Sequence, residues 1–509
     1  IRDSTCGDVY EHLLDPVKDL LAPARRLVKE DGKMLLVTPH GAWFRGQFHP
    51  GAHPWLWGQE NEHWLSEKQR GHVIAPTVWT VAKHFRDAGW YVKDCTAVAQ
   101  WRQDVPNQGN VCVEAYPNPP TTLKKKTVVF NIGNGYETYT PHSVNLTGIG
   151  GSETAAIKMA EEFAKKGYDV KVYNSCGPNG EGIYNGVEYY VSEKCDKITC
   201  DILIGSRNAE LCTVNVKAKK KYLWVHDVIP YNLSEDIYNK LDGIFVLSEW
   251  HKDNVKKHYT FIKDEKLIIT TNGIDLERFN KNIQRDPYKV VLSSSPDRYL
   301  PSLLQMWGRI KEEVPEASLH ICYGFENWEF GAKNDPNQTA LIKRLKQMLS
   351  DMQALDVNYV GRLNQNRLAE EMMSAGAWLY STWFAETNCI SAIEAQAAGM
   401  ALVTSPIAAL KETTCNAEFV EGDWLSPEYQ DNFVKKAVKA LKFTTNEERN
   451  KNIEFAKKYE WSNVATQWEG VFFKDYEVSL KNVDINKCDV PTFQAVKSLK
   501  MYVPLTDRA

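Results

Sequence analysis

Two glutamates, Glu386 and Glu394, stand with seven residues between them in the stretch Phe384–Gly399, FAETNCISAIEAQAAG. If Thr387–Ile390 begin a helix, Glu386 sits beside its mouth and Glu394 lies about two turns along, at 3.6 residues per turn. Two carboxylates then face one cleft at different depths. The first is suited to sugar hydroxyls and the second to a ribose diol, since ionised carboxylates only accept hydrogen bonds. The free amides of Asn388, Cys389 and Ile390 at the helix start suit a pyrophosphate. The plainer reading is a pair of helix-surface glutamates. A glycine turn, Gly148–Thr154 (GIGGSET), lies between a strand and a helix carrying Ala155, Ile157, Met159, Ala160 and Phe163. Glycines there let a backbone approach a phosphate at a helix N-terminus. Close helix–strand packing uses glycine as well, so both readings stand.

These residues need a frame. Short apolar runs alternate with helical patterns from the linker to about residue 422. Strands are expected at Thr127–Ile132, Asp169–Tyr173, Asp201–Gly205, Tyr222–Val225 and Gly243–Leu247, then at Val290–Ser294, Leu319–Tyr323, Val357–Val360, Ala377–Tyr380 and Ala401–Thr404. Parallel strands need crossover helices, so the pattern predicts an α/β chain with two tandem Rossmann-like domains divided near Phe279–Pro287. The 509 residues carry 43% hydrophobic and 25% charged residues, which excludes a disordered, collagen-like or coiled-coil chain. Lys and Arg (61) nearly cancel Asp and Glu (65), and the net charge of −4 gives no field for gathering nucleic acid. No apolar run is long enough to span a bilayer, and no secretory signal opens the chain. The 11 cysteines lack a CxxC pair and read as thiols of a reducing, cytoplasmic compartment. The sequons at Asn145, Asn232 and Asn337 are then expected to carry no glycan, and the 16 Trp and 23 Tyr are accounted for by aromatic-rich cores.

The seven-residue glutamate spacing, followed by EAQAAG, resembles that of retaining GT-B glycosyltransferases of family 4. So do GGSET, WVHD at Trp224–Asp227, FVLSEWHKD at Phe245–Asp253 and TNGID with Phe279, in family order over about residues 127–475. The resemblance implies that Gly150 and Gly151 face the donor diphosphate and that His226 lies near the donor sugar. It implies that Glu386 holds the transferred sugar, that Glu394 binds the nucleotide ribose, and that the amides of Asn388, Cys389 and Ile390 support the pyrophosphate. Without this company His226 reads as a satisfied strand-end histidine. The implied reaction moves a sugar from a nucleotide-diphosphate sugar to a glycan, lipid or small-molecule acceptor with retention. Front-face attack is expected, the departing phosphate taking the acceptor's proton. No Asp-x-Asp pair stands in the cleft segments, so no obligatory metal or other cofactor is expected. No nucleic-acid partner or transmembrane segment is expected either, and peripheral contact with a membrane stays open.

One departure stands out. Many relatives open the second domain with GR and then EKG, two cations for the diphosphate. Here Ser293–Leu300 reads SSSPDRYL, so serine replaces the first cation, Arg298 falls at the second, and Tyr299 replaces glycine. Arg298 can pair with two phosphate oxygens through its fork, and Arg362 is a candidate to compensate. Pairing with a carboxylate such as Asp297 or Glu326 is the alternative for Arg298. A non-catalytic nucleotide-binding module is the rival reading of the chain.

Residues 1–117 resemble the second half of a class I S-adenosylmethionine-dependent methyltransferase. An acidic turn with Glu11 and His12 precedes an amphipathic helix (Val17 to Val28), a DGK turn, the strand Met34–Pro39 with His40, and a helix over 75–88 followed by Gly89-Trp90-Tyr91-Val92. No strand is read before Cys6, and the family's glycine-rich cofactor loop would lie upstream of Ile1. The domain is therefore expected to be truncated, a bifunctional parent is an alternative, and S-adenosylmethionine would enter only with the missing half. The boundaries read as 1–117, a linker over 118–126, an acceptor domain over 127–285 and a nucleotide-sugar domain over 286–458. A crossing helix over 459–475 and a tail over 476–509 complete the chain.

Overall fold

The computed structural model describes residues 3–7, 17–27, 33–39, 78–102, 105–117, 126–135 and 137–481. Glu11, His12, His40, most of the linker and the end of the tail lie outside the described residues.

Two sheets carry the chain. The first holds β1 (Asp3–Gly7), β2 (Lys33–Pro39), β3 (Trp90–Arg102), β4 (Val105–Pro117), β5 (Thr127–Gly133) and β6 (Asp169–Asn174). It continues through β7 (Gly182–Tyr184), β8 (Val187–Val191), β9 (Ile198–Ser206), β10 (Val216–Trp224), β11 (Gly243–Val246) and β12 (Leu267–Ile269). Their spatial order is β1-β2-β4-β3-β7-β8-β6-β5-β9-β10-β11-β12. From β8 to β12 every pairing is parallel. The second sheet, in the order β15-β14-β13-β16-β17-β18, is parallel throughout. It comprises β13 (Asp286–Leu292), β14 (Ser318–Ile321), β15 (Val357–Tyr359), β16 (Ala375–Tyr380), β17 (Ala401–Thr404) and β18 (Ala417–Phe419).

Both sheets are doubly wound, because their central strands bury both faces. Val128, Val129 and Phe130 on β5, and Val290, Val291 and Leu292 on β13, are fully buried. In each sheet the strand order reverses beside the first strand of its run: β6 and β9 flank β5, and β14 and β16 flank β13. Ligands of open α/β sheets bind outside the carboxyl ends of strands at such switch points. The second domain's core gathers Trp307, Trp378, Leu303 and Phe433. The long helix Trp461–Lys481 returns to the first domain, where Trp468 stacks on Phe245 with ring centroids 4.0 Å apart and joins Trp461, Val464 and Phe472 in its core.

The structure corrects the sequence reading at the start. A strand does precede the first helix: β1 pairs in parallel with β2, Cys6 opposite Leu36. Five residues with little apolar alternation were too short to read. The hairpin β7–β8 was also missed, although Asn185 and Gly186 at its turn both take positive φ (50° and 79°), which an Asn-Gly two-residue hairpin turn demands.

Candidate active site

The carboxyl ends of β5, β9, β10 and β11 face those of β13, β14 and β16 across a cleft of about 550 Å³. Gly151, Ser152, Arg207, His226 and Asp227 line it from the first domain, and Ser293, Ser294, Arg298, Tyr323 and Glu386 from the second. Direct hydrogen bonds hold the two walls together. Thr387 Oγ1 donates to the His226 carbonyl at 3.0 Å, and the Asn272 backbone and side-chain amides donate to Asn388 Oδ1 and O, both at 2.9 Å. Farther out, Arg362 makes a bidentate pair with Glu137 at 2.9 Å on each arm, and Glu412 accepts from the first amides of the helix Glu249–His258.

Glu386 leaves the end of β16 and is buried. Its Oε1 accepts from Tyr380 Oη at 2.7 Å and from Arg298 Nη1 at 3.2 Å. Arg298 therefore pairs with Glu386, not with Asp297 or Glu326. It also lies over the Phe384 ring, 4.0 Å from the centroid. Burial works against the Arg298 charge, but Glu386 together with Tyr380, Asp297 and Cys389 outweighs it and holds the guanidinium charged above its ordinary range. Beside Arg298 the three serines supply hydroxyls: Ser294 Oγ and Ser391 Oγ are 2.7 Å apart, and Ser293 Oγ is buried without a protein partner.

The helix that follows begins at Ile390, not at Thr387. The preceding residues are drawn into the contacts to Asn272 and His226, so Glu394 lies about one turn in. Glu394 is buried, is not among the residues lining the cleft, and its Oε1 takes a 2.7 Å bond from Arg278. The amides of Asn388, Cys389 and Ile390 donate no hydrogen bond among the described residues and stand at the cleft end of the helix. Arg362 is committed to Glu137 and does not line the cleft.

Across the cleft Gly150 caps the helix Gly151–Lys165, and Gly151 touches the facing domain: a Cβ there would come within 3.1 Å of Ile390 Cδ1. His226 packs on Trp224, centroids 4.2 Å apart, and its Nε2 is buried without a protein partner. Burial first, then the charge of Arg207 and His251, lowers its pKa to about 3. His226 is a neutral imidazole at physiological pH. Arg207, which the sequence reading missed, has a left-handed backbone (φ 66°) and grips Asp227 bidentately at 2.7 and 2.8 Å. Its signal was its place two residues beyond the strand expected at Asp201–Gly205. Tyr380 was also missed as a site residue; it is the last residue of an expected strand. Among the described residues no group of three or more His, Cys, Asp and Glu is placed to hold a metal ion, and no helix is long and apolar enough to cross a membrane.

Residues 274–459 match the family model described as Glycosyl transferases group 1. No curated protein matches the sequence. Among solved structures, the fold is similar to a sucrose-phosphate synthase from Thermosynechococcus elongatus at 12% identity, covering 70% of this chain and 100% of that one, with a TM-score of 0.50. A glycosyltransferase from Rickettsia africae matches at 12% identity over 69% of this chain and 99% of that one, TM-score 0.49. HepE of Anabaena, solved with UDP and glucose, matches at 11% identity over 69% and 100%, TM-score 0.49. The parallel β8–β12 part of the first sheet and the parallel second sheet, facing one cleft, are the GT-B arrangement.

Proposed function

We propose that the chain is a retaining glycosyltransferase that moves a sugar from a nucleoside-diphosphate donor to an acceptor hydroxyl. One observation carries the reading: Glu386 and His226, from different domains, meet in one cleft beside the Arg298–serine wall and the free amides that open the helix Ile390–Ala397.

The diphosphate sits against those amides, where the helix dipole and unpaired N–H groups favour an anion. Ser293, Ser294 and Arg298 complete the cradle, hydroxyls standing where relatives carry a second cation. Both protein bonds to Glu386 fall on Oε1, which leaves Oε2 to accept from the hydroxyls of the transferred sugar. His226, being neutral, presents Nε2 to a sugar hydroxyl and adds no positive charge beside an oxocarbenium-like carbon. An imidazole with a pKa near 3 is a poor base at neutral pH. The acceptor's proton therefore passes to the departing diphosphate. The bond from the anomeric carbon to the diphosphate oxygen breaks with its electron pair on that oxygen, and the acceptor oxygen bonds to the same face of the carbon. The ribose contact implied for Glu394 requires it to share its carboxylate between Arg278 and the nucleotide. We read residues 1–117 as a methyltransferase-like unit, a reading that rests on their sequence motifs.

Release of nucleoside diphosphate from a panel of UDP-, GDP- and ADP-sugars by the full chain tests the assignment. One or more donors should turn over, and Glu386→Gln should lower that turnover by orders of magnitude with the fold intact by circular dichroism. Undiminished turnover in Glu386→Gln would remove Glu386 from the reaction.

A further inference from the structure

The cations of the cleft are already committed, and that restricts the acceptor. Four charged side chains line it among the described residues: Arg207 with Asp227 on the first domain, and Arg298 with Glu386 on the second. Each cation is paired, Arg207 bidentately at 2.7 and 2.8 Å and Arg298 at 3.2 Å. On the donor side Arg298, the serine hydroxyls and the helix amides remain to meet a diphosphate. On the acceptor side no uncompensated positive charge faces the cavity. Arg207 is also 3.7 Å from Glu153 Oε1, so its surroundings hold two carboxylates to one guanidinium. A phosphorylated or carboxylated acceptor would bring a second anion beside the donor diphosphate with no uncompensated cation to balance it, only the amides that open the helix Gly151–Lys165, which the donor diphosphate also faces.

What this wall does offer is hydroxyl chemistry and one aromatic face. Asp227 and Ser152 both line the cavity, and Ser152 Oγ donates to Glu153 Oε2 at 2.9 Å. Tyr231 lines the same cavity with 51% of its surface exposed. Its backbone is tied to the Arg207 loop, the Tyr231 amide donating to the Arg207 carbonyl at 3.0 Å and the Tyr231 carbonyl accepting from Ala209 at 2.9 Å. The left-handed backbone of Arg207 is a conformation that a non-glycine residue holds only under tertiary constraint. The constraint here is the Asp227 pair together with this loop pairing, and its result is to fix Asp227 and Tyr231 relative to one another.

On the premise of the glycosyltransferase reading, we propose that the acceptor is a neutral sugar ring, its apolar face on Tyr231 and its hydroxyls on Asp227. The pairing of Arg207 with Asp227 sets this preference. An exposed aromatic ring buries the C–H face of a sugar, and a carboxylate accepts from vicinal hydroxyls. Arg207 holds the carboxylate in place and is itself neutralised by it, which removes the site's attraction for anions.

Saturation-transfer NMR on the full chain tests this, with UDP, GDP and ADP as donor-side probes. Glucose and maltose serve as acceptor-side probes against glucose 6-phosphate. A nucleoside diphosphate should bind, and in its presence the neutral sugars should show transfer while the phosphate ester shows little. Tyr231→Ala, at an exposed position, should weaken neutral-sugar binding about tenfold. Asp227→Asn combined with Glu153→Gln leaves the Arg207 charge uncompensated and should shift the binding ratio of glucose 6-phosphate to glucose about tenfold or more toward the phosphate ester, a charge-assisted contact being gained. Preferential binding of the phosphate ester by the unmodified chain, no binding of the neutral sugars, or indifference to Tyr231→Ala would overturn the proposal. Failure of every nucleoside diphosphate to bind would instead overturn the glycosyltransferase reading itself.

Discussion

At the residue scale the cleft uses neutral or mutually compensated groups. Arg298 is the cation nearest the donor side, and its effect should grow as charge builds on the leaving group. Arg298→Ala should therefore lower kcat more than donor affinity, by roughly ten- to a hundred-and-fifty-fold for a lost charge-assisted bond of about 1.5–3 kcal/mol. Arg298→Lys should recover part of this, since an ammonium lacks the planar fork. Steady-state kinetics separates the two terms, and a loss confined to KM would assign Arg298 to ground-state binding. Two histidines, His251 buried and His226 half-buried with its Nε2 shielded, set the acid limb. Burial lowers His226 to about 3 and His251 to about 4, against 6.5 in an unfolded chain. In that interval the unfolded state binds more protons, so stability is complete above about pH 6.5 and falls as pH drops toward 4 and 3. Thermal melts from pH 7.5 to 4.5 should show the decline, and His251→Gln should flatten it. By the same logic, activity should show no histidine ionisation between pH 6 and 8. The motif residues were legible because neighbours in sequence carry them. Their distant partners were not: Arg298 reaches Glu386 across 88 residues and Arg278 reaches Glu394 across 116, through the fold rather than local spacing, whereas Tyr380 stands only six residues before Glu386.

At the scale of elements the helix Ile390–Ala397 decides how much the glutamate pair can do. The sequence reading placed its start three residues early, because propensity cannot see that the Asn388 carbonyl and side chain are taken by Asn272. With the start at Ile390, Glu394 turns onto Arg278. Their side chains are 8% and 7% exposed, so they form a buried ion pair linking the helix to the connection between the domains. Breaking such a pair from one side leaves an uncompensated charge and costs about 3–5 kcal/mol. Glu394→Ala should therefore lower Tm markedly, whatever its effect on donor KM. Arg278→Met combined with Glu394→Leu should restore most of the stability, because the penalty lies in the orphaned charge. A double variant as unstable as Glu394→Ala would mean that the pair does more than balance charge. The strand centres were readable because both faces are apolar. Short edge pieces such as β12 and β18 carry three residues each and give no period to read.

At the scale of the whole molecule the N-terminal unit is joined to the first GT-B domain by a shared sheet, not by a linker alone. Two tandem domains were legible from the strand–helix alternation, but this junction was not, since it depends on a short hairpin meeting a strand about ninety residues away. Cys95 and Thr96 on β3 pair antiparallel with Ile183 and Gly182 on β7. Trp79 stacks on Tyr190 with centroids 4.5 Å apart, and Arg86 reaches Glu188 at 2.6 Å. Gly182 is what permits the approach, because a Cβ there would stand 2.6 Å from the Cys95 carbonyl oxygen. Gly182→Val should force β3 and β7 apart and expose Ile183, which is fully buried with the N-terminal core. Coupling through a continuous sheet makes the two units unfold together, whereas separately folded units would unfold in steps. Calorimetry of the unmodified chain should therefore show the N-terminal unit melting with the first GT-B domain, and Gly182→Val should split off an earlier transition. Limited proteolysis should then remove the N-terminal unit first, while the cleft, whose walls are built from other strands, keeps its nucleotide binding. An unchanged single transition in Gly182→Val would show that the side-chain contacts of Trp79 and Arg86, rather than the strand pairing, carry the coupling.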